Sequence, residues 1–185
     1  MRLFYFKKTT SSGLVGYSNA GYKFDSHKIR SQTDYIFCYN DTTISWQQTL
    51  VATTTNHFEI IALYEVGREY VWLWSVISHI QSIYQMPLVN SSPTIIYEGN
   101  TACVAQVREW YIKGDKTKHV SPKFLYAHEL QENRQVDIKQ IRSIDNLADL
   151  FTKSLSISTF EKLVYDIGLR RVRSEERRVG KECAR

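Results

Sequence analysis

Two acidic residues stand at the starts of predicted helices. Asp149 lies within residues 145–153, where an apolar helical start follows a strand-like run, and Glu59 lies just after Phe58 in a helical stripe. Carboxylate oxygens are the hard ligands that Mg²⁺ prefers. Each acid alone has a simpler explanation, because Glu59 would be a solvated helix acid and Asp149 would stabilise the N-terminal end of a helix dipole. Neither identifies a site by itself.

Cationic side chains cluster in the segment around residues 113–123. They are Lys113, Lys116, Lys118, His119 and Lys123. Such a cluster can contact the phosphates and sugars of a nucleic acid, which carry little base information. A solvated loop explains it nearly as well, and a lone histidine there is typical of a polar surface contact. The 12 Tyr and 4 Trp fall mostly in predicted strands and helix stripes, which assigns them to the core rather than to base stacking.

The first part of the chain predicts an antiparallel meander. Residues 3–6 and 14–18 are β-rich, and residues 31–39 and 43–46 flank Asn40-Asp41-Thr42, which suit a tight hairpin turn. Two further strands are predicted at residues 94–97 and 136–139.

Apolar residues at steps of three and four predict the helices. The longest stripe runs from Phe58 to Tyr84, and we expect it to be divided into two helices. Further helical patterns follow Asn100, begin at Ser121-Pro122, and end at Gly168. A meander followed by alternating helices and strands predicts an α/β domain with a mixed sheet.

Length and composition are consistent with one domain. A chain of 185 residues with 43% apolar content can bury a full core. No apolar run approaches the roughly 20 residues that span a bilayer, and the first residues lack signal-peptide features, so we expect a cytoplasmic or nuclear protein. Cys38, Cys103 and Cys183 show no metal-ligand spacing and predict no disulfide.

The composition changes abruptly at residues 173–185. This segment resembles the in-frame translation of a sequencing-adapter oligonucleotide, so we expect a non-native, disordered tail. It carries five Lys/Arg and three Asp/Glu, and without it the formal net charge falls from +5 to +3. The remaining basic balance favours a polyanionic partner only weakly.

Four segments, in order, resemble the ribonuclease H domain at the C-terminus of copia-type retrotransposon Pol polyproteins. They are Gly-Tyr-Ser-Asn-Ala at 16–20, Asn-His-Phe-Glu-Ile-Ile-Ala-Leu at 56–63, Ile-Ile-Tyr-Glu-Gly-Asn at 95–100 and Asp-Asn-Leu-Ala-Asp-Leu-Phe-Thr-Lys at 145–153. The resemblance predicts one ribonuclease H-like domain over residues 1–172. It implies a five-stranded mixed sheet, its first three strands antiparallel, with helices on both faces.

The resemblance also implies a chemistry. In this family two Mg²⁺ or Mn²⁺ ions, held by four carboxylates, hydrolyse the RNA strand of RNA–DNA hybrids. Glu59 and Asp149 match two of these carboxylates and are the expected metal ligands, whereas Asn19 and Gly99 stand where the family has aspartate. Glu98 precedes Gly99, but successive strand side chains point to opposite faces, so we expect it to substitute only through a bulge.

Two other departures from the family bear on the fold. Asp34 stands where the family favours glycine, and the Trp46–Thr49 connection contains only Gln47-Gln48, about three residues fewer than usual. An odd deletion within a strand would turn all later side chains to the other face. A deletion absorbed in the following loop would instead shorten the strand.

Three hypotheses follow. The chain is a degenerate ribonuclease H domain, ancestrally joined to a reverse transcriptase and acting on RNA–DNA hybrids. Alternatively, it is a non-catalytic module that binds hybrids or another partner, or a pseudogene product that no longer folds stably.

Overall fold

A mixed five-stranded sheet forms the centre of the protein. The computed structural model describes residues 2–3, 13–25, 30–51, 58–86, 92–109 and 121–170. Its strands are β1 (Arg2–Leu3), β2 (Leu14–Asp25), β3 (Arg30–Tyr39), β4 (Thr42–Val51), β5 (Thr94–Glu98), β6 (Val136–Gln140) and β7 (Leu169–Arg170). The sheet order is β4-β3-β2-β5-β6, and β1 pairs separately with β7. Strands β2 to β4 are antiparallel and β5 and β6 are parallel to β2, as predicted.

In the described part of the chain, five α-helices cover this sheet. They are α1 (Phe58–Ile83), α2 (Thr101–Glu109), α3 (Ser121–Glu132), α4 (Asp149–Thr152) and α5 (Ile157–Asp166). Helix α5 stops before Gly168, whose φ of 86° is a conformation that glycine adopts without strain. The predicted helix starts after Asn100 and at Ser121 are confirmed. None of the helices in the described part of the chain has the length and apolar character needed to cross a membrane.

The predicted hairpin turn is also confirmed. Asn40 and Asp41, between β3 and β4, have φ values of 50° and 60°, as a tight turn between twisted strands requires. The Asn40 side chain accepts a hydrogen bond from the backbone N–H of Gly13 at 3.1 Å, and its own N–H donates to the Gly13 carbonyl. The turn is therefore fastened to the start of β2.

The expected division of the long helix is wrong. Helix α1 runs without interruption for 26 residues. It contains no proline, and Gly67 marks a close approach rather than a break. A Cβ at Gly67 would lie 2.9 Å from Leu130 Cδ1 and 3.1 Å from Tyr126 Cε1, so the missing side chain lets α3 pack against α1.

Alternation along the strands produces two cores. On the face covered by α1, α2 and α3, here the α1 face, the buried residues include Leu14, Tyr35, Phe37, Ile96 and Ile138. On the opposite face, here the α4 face, they are Ile36, Cys38, Leu147, Leu163 and Ile167. The predicted coverage of both sheet faces by helices is confirmed. Cys38 and Cys103 are free and buried, as expected.

The Trp46–Thr49 connection lies within β4. The pairing of β3 with β4 is regular from Ile36 and Trp46 to Ser31 and Val51, and its irregularity lies instead beside Phe37. Strand β4 has 10 residues. Most of the predicted first strand, the basic segment up to residue 120 and the tail at 173–185 lie outside the described residues.

Gly16 provides a test of packing between β2 and β3. An added Cβ would lie 2.7 Å from Cε1 of the fully buried Phe37 ring. We expect Gly16→Ala to lower the free energy of unfolding by about 1–3 kcal/mol, because overpacking a core forces neighbours to shift. Denaturant unfolding measures this change. The matched control is Gly99→Ala, whose Cβ has no neighbour closer than 3.6 Å. An equal cost at both positions would contradict the packing described here.

Candidate active site

The two positions where the family has aspartate lie side by side. Ser18 on β2 pairs in parallel with Glu98 on β5, so the next residues, Asn19 and Gly99, meet where β5 ends. A Cβ at Gly99 would lie 3.9 Å from Asn19 Oδ1 and 3.6 Å from Asn146 Nδ2, which is ordinary van der Waals contact. The site therefore has room for a side chain at residue 99, but neither position supplies a carboxylate.

Asp149 is fully buried at the start of α4. Its Oδ2 accepts hydrogen bonds from the Ser143 hydroxyl and from Lys153 Nζ, which lies 2.8 Å away. Its Oδ1 is buried and has no hydrogen-bond partner among the described residues. One oxygen of the carboxylate is thus neutralised by a lysine one turn later, and the other is available to a ligand.

Two buried amide side chains hold the segment that carries Asp149. Asn146 Nδ2 donates to the Ser18 carbonyl on β2 at 2.9 Å, and Asn146 Oδ1 accepts from the N–H of Ala148. Gln32 Nε2 donates from β3 to the Phe151 carbonyl at 2.6 Å. Both amides are fully buried, so they fix the segment against the two central strands.

Glu59 and Glu98 meet on the α1 face. Glu59 lies in the first turn of α1, and its Oε1 accepts a bond of 3.5 Å from Asn100 Nδ2. Glu98 is fully buried at the end of β5, and its Oε1 accepts from the backbone N–H of Asn100 at 3.0 Å. Burial, and then the adjacent Glu59 charge, raise the pKa of Glu98 well above its ordinary value. Burial likewise raises the pKa of Glu59.

The orientation of Glu98 follows the predicted alternation. Strand β5 is regular, and Glu98 shares the α1 face with Ile96. Tyr17 lines a cavity of the α4 face with Leu147, and the alternation of β2 places Asn19 on that face too. Without a bulge, Glu98 points away from the position of Gly99. Glu59 projects from α1 onto the same face as Glu98, so the two carboxyl groups meet there.

Asp34 is an additional acid beside the site. It lies on β3 directly opposite Asn19 and is buried. Gln32 Nε2 donates to both of its oxygens at 3.0 Å. Burial raises the pKa of Asp34 to about 7, against the hydrogen bond from Gln32, and the charges of Glu65 and Asp149 act in the same direction as burial. Sequence reasoning treated this residue only as a departure from the family, although its place in a strand paired with Asn19 could have identified it.

Comparison with known proteins gives one relative that matches most of the chain. A retrovirus-related Pol polyprotein from a Nicotiana tabacum transposon is 27% identical over 151 residues, which are 80% of this chain. The chain spans 11% of that polyprotein. A secreted effector protein of Plasmopara viticola is 37% identical over 71 residues, covering 37% of this chain and 50% of the effector. No family model matches the chain.

Solved structures with the same arrangement of strands and helices decide the fold. The N-terminal RNase H domain of a Mycobacterium tuberculosis protein superposes with a TM-score of 0.54 at 12% identity, covering 84% of this chain and 98% of that one. This protein has a ribonuclease H-like fold, and it is similar in sequence to a retrotransposon Pol polyprotein. The protease–reverse transcriptase of prototype foamy virus matches the ribonuclease H-like domain with a TM-score of 0.50 and 12% identity, over 90% of this chain and 22% of that one.

The acids of this ribonuclease H-like domain do not fit a pair of divalent ions. Within the described residues, no group of three or more His, Cys, Asp or Glu is arranged to hold a metal. Glu59 and Asp149 approach the end of the sheet from its two faces, and Asn19 and Gly99 between them carry no charge. Two dications about 4 Å apart need several bridging carboxylates.

Of the cationic residues in the basic segment, the structure describes only Lys123. Its ammonium lies 5.4 Å from the centre of the Tyr64 ring, which Arg68 approaches to 5.9 Å. Lys123 therefore stacks on α1 as a cation–π pair. Lys113, Lys116, Lys118 and His119 lie outside the described residues.

The raised pKa of Asp34 predicts a pH dependence of stability. The ordinary pKa of the side chain is 3.8 and the folded value is about 7, so the unfolded chain loses the proton first as the pH rises. The stability that protonated Asp34 contributes below about pH 4 is therefore lost as the pH rises towards about 7. We expect Asp34→Asn to lose less stability than the native chain between about pH 5 and about pH 8. Thermal melts at the two pH values measure the difference.

A control of opposite sign is Asp145→Asn. Hydrogen bonds from Lys162 and Arg142 lower the pKa of Asp145, so its contribution is present above its ordinary pKa and lost as the pH falls. Identical pH profiles for the native chain and Asp34→Asn would contradict the raised pKa.

Proposed function

We propose that this chain is the ribonuclease H domain of a copia-type retrotransposon Pol polyprotein and that it no longer cleaves RNA–DNA hybrids. The observation that carries the proposal is that Asn19 and Gly99 follow the last residue pair of β2 and β5 as neighbours, so that a Cβ at Gly99 would lie 3.9 Å from Asn19 Oδ1. Neither neighbour carries the aspartate that the family has at its position. The surrounding scaffold remains ordered and buried.

Charge is the reason that this loss abolishes cleavage. Attack of water on a phosphodiester builds negative charge on a group that is already anionic, and metal ions stabilise that charge. Half of the formal charge that holds the two ions is gone. Metal-supplied stabilisation amounts to several kcal/mol, and each ~1.4 kcal/mol is a factor of ten in rate, so the expected loss is several orders of magnitude.

Glu98 and Asp34 do not supply the negative charge that the two family aspartates would give to a pair of metal ions. Burial favours the protonated form of Glu98, which also faces away from Asn19. Asp34 lies beside Asn19, but Gln32 engages both of its oxygens. These contacts support loss of the two-ion chemistry while the fold is kept.

Restoring the two aspartates should restore cleavage. We expect the native chain to leave hybrids intact and Asn19→Asp with Gly99→Asp to cleave the RNA strand in Mg²⁺ or Mn²⁺. Either change alone should restore little, because the ligands act as a unit. A Cβ at Gly99 would make only ordinary van der Waals contacts, so the backbone there accepts a side chain. A gel assay with a labelled hybrid measures the rates.

Two matched variants separate charge from shape. Asn19→Asp with Gly99→Ala adds a Cβ at residue 99 without a carboxylate and should stay inactive. Glu59→Gln in the double revertant should remove the restored activity. Cleavage by the native chain that Glu59→Gln abolishes would refute the proposal.

The proposed partners are an RNA–DNA hybrid and, in the ancestral polyprotein, the reverse transcriptase region. The tobacco relative is a Pol polyprotein, and the foamy virus match is part of a protease–reverse transcriptase. Lys123 and the neighbouring basic residues of the sequence support contact with a polyanion.

Hybrid binding should be strongly salt-dependent and should come from the basic segment. Alanine at Lys113, Lys116, Lys118 and Lys123 should weaken binding and flatten the dependence of log K on log salt, because fewer counterions are released. Fluorescence anisotropy at several salt concentrations measures the slope. Alanine at Lys139 and Lys162, whose side chains are 44% and 45% exposed and ion-paired elsewhere, is the control. An unchanged slope in the fourfold variant would make the segment a solvated loop.

A further inference from the structure

One asparagine holds both carboxyl groups on the α1 face. The backbone N–H of Asn100 donates to Glu98 Oε1 at 3.0 Å, and its Nδ2 donates to Glu59 Oε1 at 3.5 Å. The position of Asn100 is fixed in turn, since its Oδ1 accepts from the N–H of Cys103 in the first turn of α2 at 3.1 Å. The two glutamates, 39 positions apart in sequence, therefore share one hydrogen-bond donor residue.

The second oxygen of each glutamate lacks a hydrogen bond. Glu59 Oε2 and Glu98 Oε2 are both buried and have no hydrogen-bond partner within the described part of the chain. Neither glutamate forms an ion pair with a described Lys, Arg or His. Glu98 itself is fully buried. Two carboxylates in contact can both be ionised where water is excluded only if a positive charge lies between them, so an ion that binds there displaces the proton that otherwise neutralises one of them. A positive species between the two oxygens removes their repulsion and satisfies both.

We propose that one divalent cation of the Mg²⁺ or Mn²⁺ type binds between Glu59 and Glu98 on the α1 face. These ions take hard oxygen ligands, and Mg²⁺ commonly binds through one or two carboxylates while keeping several waters. The Glu59 residue is partly exposed, whereas the two oxygens that would hold the ion are buried. Glu98 has no counterpart among the family's expected ligands. The site therefore differs from the ancestral pair of ions, and it does not depend on hybrid cleavage.

Asn100 gives the site a preformed geometry. Because it binds one oxygen of each glutamate, the other oxygens are left for the ion, and the nearby Lys153 is ion-paired with Asp149. On the α4 face, by contrast, Asp34 is engaged by Gln32 and Asp149 by Lys153. The α1 face is thus the favoured side for a single ion.

The test is a Mn²⁺ titration of the full chain followed by electron paramagnetic resonance, in which bound Mn²⁺ loses the sharp signal of the free ion. We expect one ion per chain. Glu98→Gln and Glu59→Gln should each raise the dissociation constant at least about tenfold, since loss of even an outer-shell partner costs about 10–100-fold. Asp34→Asn is the matched control on the other face and should change it less than about twofold.

The variants also discriminate against other occupants. Thermal melts establish whether each variant folds. If Glu98→Gln does not fold, the Mn²⁺ affinity of Glu59→Gln, at the partly exposed position, tests the proposal. If Asp149→Asn binds Mn²⁺ more weakly and Glu98→Gln binds it as the native chain does, the ion lies at the family position and the proposal is wrong. No Mn²⁺ binding by the folded native chain would also overturn it and would leave a shared proton between the two carboxyls. Neither outcome would bear on the predicted absence of cleavage in the native chain.

Discussion

The parallel pairing of β2 with β5 determines which side chains meet at the functional end of the sheet. Ser18 lies beside Glu98, and Asn19 and Gly99 follow as the next pair. Successive side chains of a strand face opposite sides, so this register divides the acids between the two faces. Glu98 joins Glu59 under α1, whereas the two family positions without a carboxylate meet on the side of α4. A shift of this register by one residue would exchange the faces, so that Glu98 would lie on the α4 face and the next residue on the α1 face.

The scaffold around these acids is held by neutral amides, so it does not depend on carboxylates at residues 19 and 99. Asn146 and Gln32 fasten the Asp149 segment to β2 and β3, and Asn100 binds both glutamates from the start of α2. Such bonds do not require a metal ion. Buried carboxylates are costly unless they are paired or protonated. Asp149 is paired with Lys153, and burial raises the pKa of Glu98 towards protonation.

The sequence predicted most of the fold because its apolar periodicity and turn residues agree with one another. Strand β3, the turn at Asn40 and Asp41, and the strand-to-helix crossover at Asn100 could all be identified locally. The predicted division of α1 was wrong because sequence alone does not reveal that α3 packs on Gly67. The meeting of Glu59 with Glu98 was missed because it depends on the side of the sheet that α1 covers. Asp34 belongs to four consecutive buried polar residues, Ser31 to Asp34, a pattern that contradicts hydrophobic strand rules and marks the site.

Because Glu59 and Asp149 lie on opposite faces of the sheet, we propose that these acids do not hold two metal ions together. Anomalous diffraction from crystals of the native chain soaked in Mn²⁺ locates each bound ion. We expect no pair of ions, and any single peak should lie between Glu59 and Glu98 on the α1 face. Two peaks about 4 Å apart between Glu59 and Asp149 would contradict this expectation.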